Sequence, residues 1–81
     1  MRKELVVPEV TKDDGAKVTV ATWFKKAGDA FEPDEPIAEL LFDKAAFDLC
    51  VPFKGTIVEI LAAENESRRV GEVLAIAEVT D

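Results

Sequence analysis

The 81-residue sequence contains no histidine and no tyrosine, one serine (Ser67) and one cysteine (Cys50). Without histidine, a Ser-His-Asp triad, a Cys-His pair and a His-containing zinc site cannot be built within the chain. A single cysteine excludes an internal disulfide, and its apolar setting in "DLCVP" reads as a packed thiol. Long hydrophobic runs are missing as well. No segment approaches the roughly 20 apolar residues of a membrane helix, and "MRKELVVPEV" lacks the apolar centre of a signal peptide. The expectation is a cytoplasmic chain with no membrane partner.

Basic charge is scarce. Ten Lys and Arg stand against 17 Asp and Glu, for a net charge of −7. The cations are scattered rather than gathered into the stripe that neutralises a phosphate backbone, so nucleic acid is not an expected partner. Outside residues 40–49, no carboxylate pair sits in an apolar context that would separate two pKa values, and the carboxylates read as solubilising. No autonomous enzyme is expected, and no catalytic or metal-ligating residue is assigned.

The residues that are present describe one small domain over residues 1–81, a size at which about 60% of the unfolded surface is buried. "KVTVATWF" (17–24) is rich in β-branched and aromatic residues and predicts a strand, with Trp23 and Phe24 in the core. Further strands are predicted at 4–8, 36–42, 46–52, 55–62 and 72–79. Turn signals separate them: "TKDDG" near Gly15, "KAGD" around Gly28, "EPDEP" at 32–36, "PFKG" at 52–55 and "ENESRRVG" before Glu72. Many short strands at short spacing predict an all-β flattened barrel or sandwich.

"EILAAENESRR" has the composition of a helix, but an internal repeat argues against one. A shift of 37 positions aligns 19–40 with 56–77 without a gap and sets Thr19 on Thr56, Val20 on Ile57, Gly28 on Asn65, Ile37 on Leu74 and Ala38 on Ala75. Glycine and asparagine both tolerate the left-handed conformation of a tight turn. The repeat predicts two strand-turn-strand halves related by a quasi-two-fold, with "ENES" on a turn equivalent to "AGDA".

If 36–42 and 46–52 pair, Asp43 to Ala45 form a tight hairpin with Lys44 at its most projecting position. Phe42 beside the tip has two readings: packing onto the barrel with Phe47, or an exposed apolar contact.

Around that hairpin the series "VPEV", "KKAGD", "EPIAEL", "DKA", "VPFKG" and "GEVLAIAEV" runs in order along nearly the whole chain. In this series the sequence resembles the lipoyl domain of the acyltransferase components of 2-oxo acid dehydrogenase complexes, within the biotinyl/lipoyl-attachment family. The resemblance implies a flattened barrel of two four-stranded antiparallel sheets related by a pseudo-two-fold, the barrel-sandwich hybrid. It implies that Lys44 carries lipoic acid in amide linkage as a swinging arm, with Asp43 and Ala45 as flanking recognition residues. Leu41 and Phe42 stand where the family has an acidic and a small residue, which makes them candidate partner-recognition positions. The implied partners are a lipoate ligase or lipoyl transferase, a thiamine-dependent decarboxylase, an acyltransferase and dihydrolipoamide dehydrogenase. The alternatives are an unmodified lipoyl-like interaction module and a biotin carrier of a carboxylase; the family's biotin sites favour Met on both sides of the lysine, where Asp43 and Ala45 stand here.

Overall fold

A computed structural model describes residues 1–9 and 16–80. The turn expected at "TKDDG" lies outside the described residues. Among those described there is no helix, and eight strands are present: β1 (Arg2–Val6), β2 (Lys17–Trp23), β3 (Ala30–Phe31), β4 (Ala38–Phe42), β5 (Ala45–Leu49), β6 (Lys54–Ile60), β7 (Ser67–Arg69) and β8 (Val73–Thr80). They form two antiparallel four-stranded sheets, ordered β1-β8-β6-β3 and β5-β4-β2-β7. The six strands expected from residue pattern are all found, with no end displaced by more than three residues. β3 and β7 are two and three residues long, too short to leave an alternation in the sequence.

The two sheets superpose in sequence on the 37-residue repeat. β2 corresponds to β6, β3 to β7 and β4 to β8, and the fourth pair, β5 with β1, completes the same strand order in each sheet. Details repeat as well. The β2–β4 ladder shifts register between Val20 and Thr22, and the β6–β8 ladder shifts between Ile57 and Glu59, 37 positions on. A bulge of this kind bends and twists its strand, and two related bulges curve both sheets around one core.

That core is built from inward residues of both halves. Val20 and Ile57, Ile37 and Leu74, and Ala38 and Ala75 are repeat mates, and all six are fully buried. Val18 and Gly55 are mates of unequal size. Gly55 lies opposite Phe31, which is 1% exposed, and a side chain at 55 would overlap the Glu78 carbonyl oxygen and press on the Phe31 ring. Each large apolar side chain buried in this way contributes about 1.5–3 kcal/mol, and no polar side chain is buried among the described residues.

Two expectations about packing are corrected. Trp23 is buried, and its indole N–H donates to the Ala62 carbonyl at 2.7 Å, but Phe24 lies just beyond β2 and is 49% exposed. Successive residues of an extended chain face opposite ways, so Trp23 pointing inward sends Phe24 outward. The same alternation applies at Cys50. Leu49 takes the buried position, and Cys50 is exposed rather than packed.

Candidate functional site

The β4–β5 hairpin is closed by two residues. Phe42 pairs with Ala45, which leaves Asp43 and Lys44 as the whole loop. A two-residue connection matches the twist of its strands when both central residues take positive φ, and Asp43 (φ 48°) and Lys44 (φ 67°) do so. Asp tolerates this region through local side-chain hydrogen bonding. A lysine does not, and the second position of such turns is the one glycine favours; non-glycine residues pay of order 1–2 kcal/mol there. Strain of this kind clusters where a side chain is held for a purpose. The sequence carried that signal in a turn that reads Asp-Lys where Asp-Gly would fit best.

The strands beneath make the turn a rigid base. Leu40 and Leu49 are buried in the core, and Phe42 and Phe47 are half-buried against it. Phe42 therefore takes the packing role of its two readings. Leu41, one residue away, points outward and is 40% exposed. Asp43, Lys44, Ala45 and Ala46 are all exposed. The fold thus gathers the five residues singled out from the sequence, Leu41 to Ala45, at one hairpin, with Leu41 on the outer face and Phe42 beneath. Among the described residues Lys44 forms no ion pair, so its amine projects from the tip unengaged.

Away from the tip, other chemistry is sparse. Although Cys50 is exposed, partial desolvation of its thiol raises the pKa, and the carboxylates of Asp48 and Asp34 raise it further. Among the described residues no group of His, Cys, Asp and Glu could hold a metal ion. A shallow recess lies on the other sheet, between β3 and β6, lined by Ala30, Lys54 and Thr56 among others.

The hairpin has a symmetry counterpart. The repeat that maps β4 onto β8 and β5 onto β1 carries the β4–β5 turn onto the end where β8 meets Met1, the Val79 N–H donating to the Met1 carbonyl at 2.7 Å. One pole of the pseudo-two-fold thus presents the lysine turn and the equivalent pole presents the described chain ends.

The geometry can be set beside known proteins. The biotin/lipoyl family model, described as "Biotin-requiring enzyme", matches residues 3–77. The chain is 46% identical over 57 residues to the dihydrolipoyllysine-residue acetyltransferase component of the pyruvate dehydrogenase complex of Corynebacterium glutamicum, an alignment that covers 70% of this chain and 8% of that protein. It is 36% identical over 78 residues to the succinyltransferase component of the 2-oxoglutarate dehydrogenase complex of Bartonella vinsonii subsp. berkhoffii, covering 96% of this chain and 19% of that protein. The chain spans less than a fifth of the length of these relatives. The solution structure of the lipoyl domain of the 2-oxoglutarate dehydrogenase complex from Azotobacter vinelandii superposes with a TM-score of 0.73 at 30% identity, covering 98% of both chains. With the family model spanning nearly all of the sequence and a lipoyl domain matching it end to end, the chain belongs to the biotinyl/lipoyl-attachment family, as one of its lipoyl domains.

Proposed function

We propose that Lys44 is the attachment site for lipoic acid and that the domain is a non-catalytic carrier within a 2-oxo acid dehydrogenase-type complex. The observation that carries this reading is an exposed lysine held at positive φ on a two-residue hairpin, in a chain of this family. The residues fit the group. An amide on the Lys44 Nζ removes a charge that has no ion-pair partner among the described residues, so nothing in the fold is lost on attachment. When bound, the dithiolane of lipoic acid supplies a disulfide that takes up an acyl group with two electrons, yielding one thioester and one thiol.

The chain's own residues supply position. The β4–β5 ladder, five residue pairs from Ala38↔Leu49 to Phe42↔Ala45, fixes the root of the arm, while the four rotatable carbons of the lysine stem leave its end free to reach separate active sites. Asp43 and Ala45 flank the amine as small or short groups, which leaves it open to an attaching ligase. The proposed partners are that ligase, a thiamine-dependent decarboxylase, an acyltransferase and dihydrolipoamide dehydrogenase. The relatives and the structural neighbour are lipoyl proteins by name, which favours lipoic acid over biotin.

Co-expression with a lipoate ligase tests the reading. The expected result is a mass gain of one lipoyl group, located by digestion to Lys44 and absent in Lys44→Ala. An unchanged mass under conditions that modify another lipoyl domain, or a modification on a different residue, overturns it.

A further inference from the structure

The pseudo-two-fold allows the outer face of one sheet to be compared with the outer face of the other, row by row. On the lysine-bearing sheet one row crosses all four strands beside the hairpin tip: Ala46 pairs with Leu41, Leu41 with Thr19 and Thr19 with Ser67. Alternation turns this row outward, because Val18, Val20 and Leu40 beside it are buried. Its repeat mates on the other sheet are Arg2, Glu78, Thr56 and Ala30, paired in the same order. There the Arg2 and Glu78 side chains form an ion pair at 3.9 Å. The same backbone positions thus hold a charge pair on one sheet and an apolar pair on the sheet that carries Lys44.

The rows on either side are charged. Lys17 and Arg69 lie on the tip side, Glu39 and Asp48 on the other, and each pair is a pair of ladder partners. Between them the row is neutral throughout, and the hydroxyls of Thr19 and Ser67 bond to each other at 2.9 Å. Leu41 is 40% exposed, and among the described residues the other exposed large apolar side chains, Met1, Val6, Phe24 and Leu61, lie off β4 and β5. One leucine and one alanine offer far less apolar area than the roughly 800 Å² that each side of a standard protein interface buries. They suit a single narrow chain.

Such a chain would be tethered beside them. Ala46 is two strand residues from Lys44, about 7 Å, which a lysine stem lengthened by an acyl chain spans with room to spare. Amide attachment replaces an ammonium that prefers water with a neutral arm ending in an apolar ring.

We infer that Leu41 and Ala46 form an intramolecular resting place for the lipoyl arm of Lys44. The inference rests on the carrier role proposed above. Tethering decides the occupant: a short flexible tether holds its end at an effective concentration in the millimolar range, so a contact with a millimolar dissociation constant is filled about half the time. A free partner of equal affinity at micromolar concentration leaves the row almost empty. Half occupancy keeps the arm available to separate enzymes, while the row shelters the dithiolane from small thiols between visits.

The test uses the fully lipoylated chain, its loading checked by intact mass. NMR cross-relaxation is expected between the methylene protons of the arm and the methyl protons of Leu41 and Ala46, at an intensity independent of protein concentration. Reduction of the dithiolane by dithiothreitol should run about twofold slower than in the double variant Leu41→Glu with Ala46→Arg, which copies Glu78 and Arg2 without changing the net charge. Both positions are exposed, so the double variant is expected to fold. The reverse exchange on the other sheet, Arg2→Ala with Glu78→Leu, should leave the rate at the wild-type value. Absent cross-relaxation, or equal reduction rates in the wild type and the Leu41→Glu, Ala46→Arg variant, overturns the resting place alone. Contacts that grow with protein concentration assign the row to the arm of a second copy and overturn it as well. Failure of the wild-type chain to be lipoylated at Lys44 overturns the carrier reading and the resting place together.

Discussion

Gly28 and Asn65 occupy the same point of two related turns: the Gly28 N–H donates to the Ile57 carbonyl and the Asn65 N–H to the Val20 carbonyl, each at 2.7 Å. Both have positive φ, 95° and 75°. Around them the bonding repeats. The Asp29 carboxylate accepts from the Lys26 N–H and the Glu66 carboxylate from the Ala63 N–H, at 2.9 and 2.8 Å. One backbone solution is used twice, with different residues meeting its left-handed requirement.

Substitution separates what each residue supplies. No atom lies within 4 Å of where a Cβ would sit on Gly28, so Gly28→Ala meets no clash and its cost is backbone strain, about 1–2 kcal/mol. Asn65→Gly is expected to be neutral or slightly stabilising, whereas Asn65→Ala should lose about 1 kcal/mol. Urea denaturation of the three variants checks the ordering, and an equal loss in Asn65→Gly would show that the asparagine side chain matters beyond its φ.

Gly55 is required for a different reason. Its φ is not positive, but an added Cβ would overlap the Glu78 carbonyl oxygen and lie 3.1 Å from the Phe31 ring. Gly55→Ala must push β8 from β6 or displace a ring buried to 99%, since Phe31 is 1% exposed. A loss of about 1–3 kcal/mol is expected. Phe31→Leu in the same chain should recover part of it if the ring is what yields, and none if the β6–β8 ladder yields instead.

Much of this fold was legible because the repeat leaves chemical traces. Gly28 with Asn65 and Ile37 with Leu74 are recognisable in the letters, and each sits at matching places in the structure. Phe24 and Cys50 were misplaced because hydrophobicity alone does not say which side of an extended chain a residue faces; Trp23 and Leu49 took the inward positions beside them. β3 and β7 escaped detection because their pairing with β6 and β2 is tertiary and leaves no pattern in two or three residues. At the site, the hairpin and its lysine were readable. The like-charge pairs Lys17–Arg69 and Glu39–Asp48 were not, since each unites residues whose register only the folded sheet defines.

Two turn carboxylates make stability depend on pH. The pKa of Glu35 is lowered by the Glu32 N–H it accepts from and by Lys25, whose ammonium lies 3.1 Å away. That of Glu66 is lowered by the Ala63 N–H and by the Arg68 charge. A carboxylate with a folded pKa below its unfolded value contributes stability above the unfolded pKa and loses it as pH falls through the folded one. Glu35→Gln and Glu66→Gln should therefore lower Tm at pH 7, with the gap to wild type closing as the pH falls below the ordinary glutamate range near 4.5. A gap that persists at the acid end would assign the loss to packing.

The lysine turn offers a test of placement against composition. The double variant Asp43→Lys with Lys44→Asp keeps the charge, the length and the two-residue loop, and moves the amine by one position. Both central positions have positive φ, so the exchange trades one strained pair for another and stability should stay within about 1 kcal/mol. The amine, however, would leave the turn from its first central position, with its stem starting next to Phe42 and the Leu41 face rather than next to Ala45. If the attaching enzyme reads where the hairpin holds the lysine, intact-mass analysis should show the single variant Asp43→Asn lipoylated like wild type and the exchanged variant unmodified. Modification of both to the same extent would mean that any exposed lysine at this turn suffices, and that the strain held at Lys44 does not serve attachment.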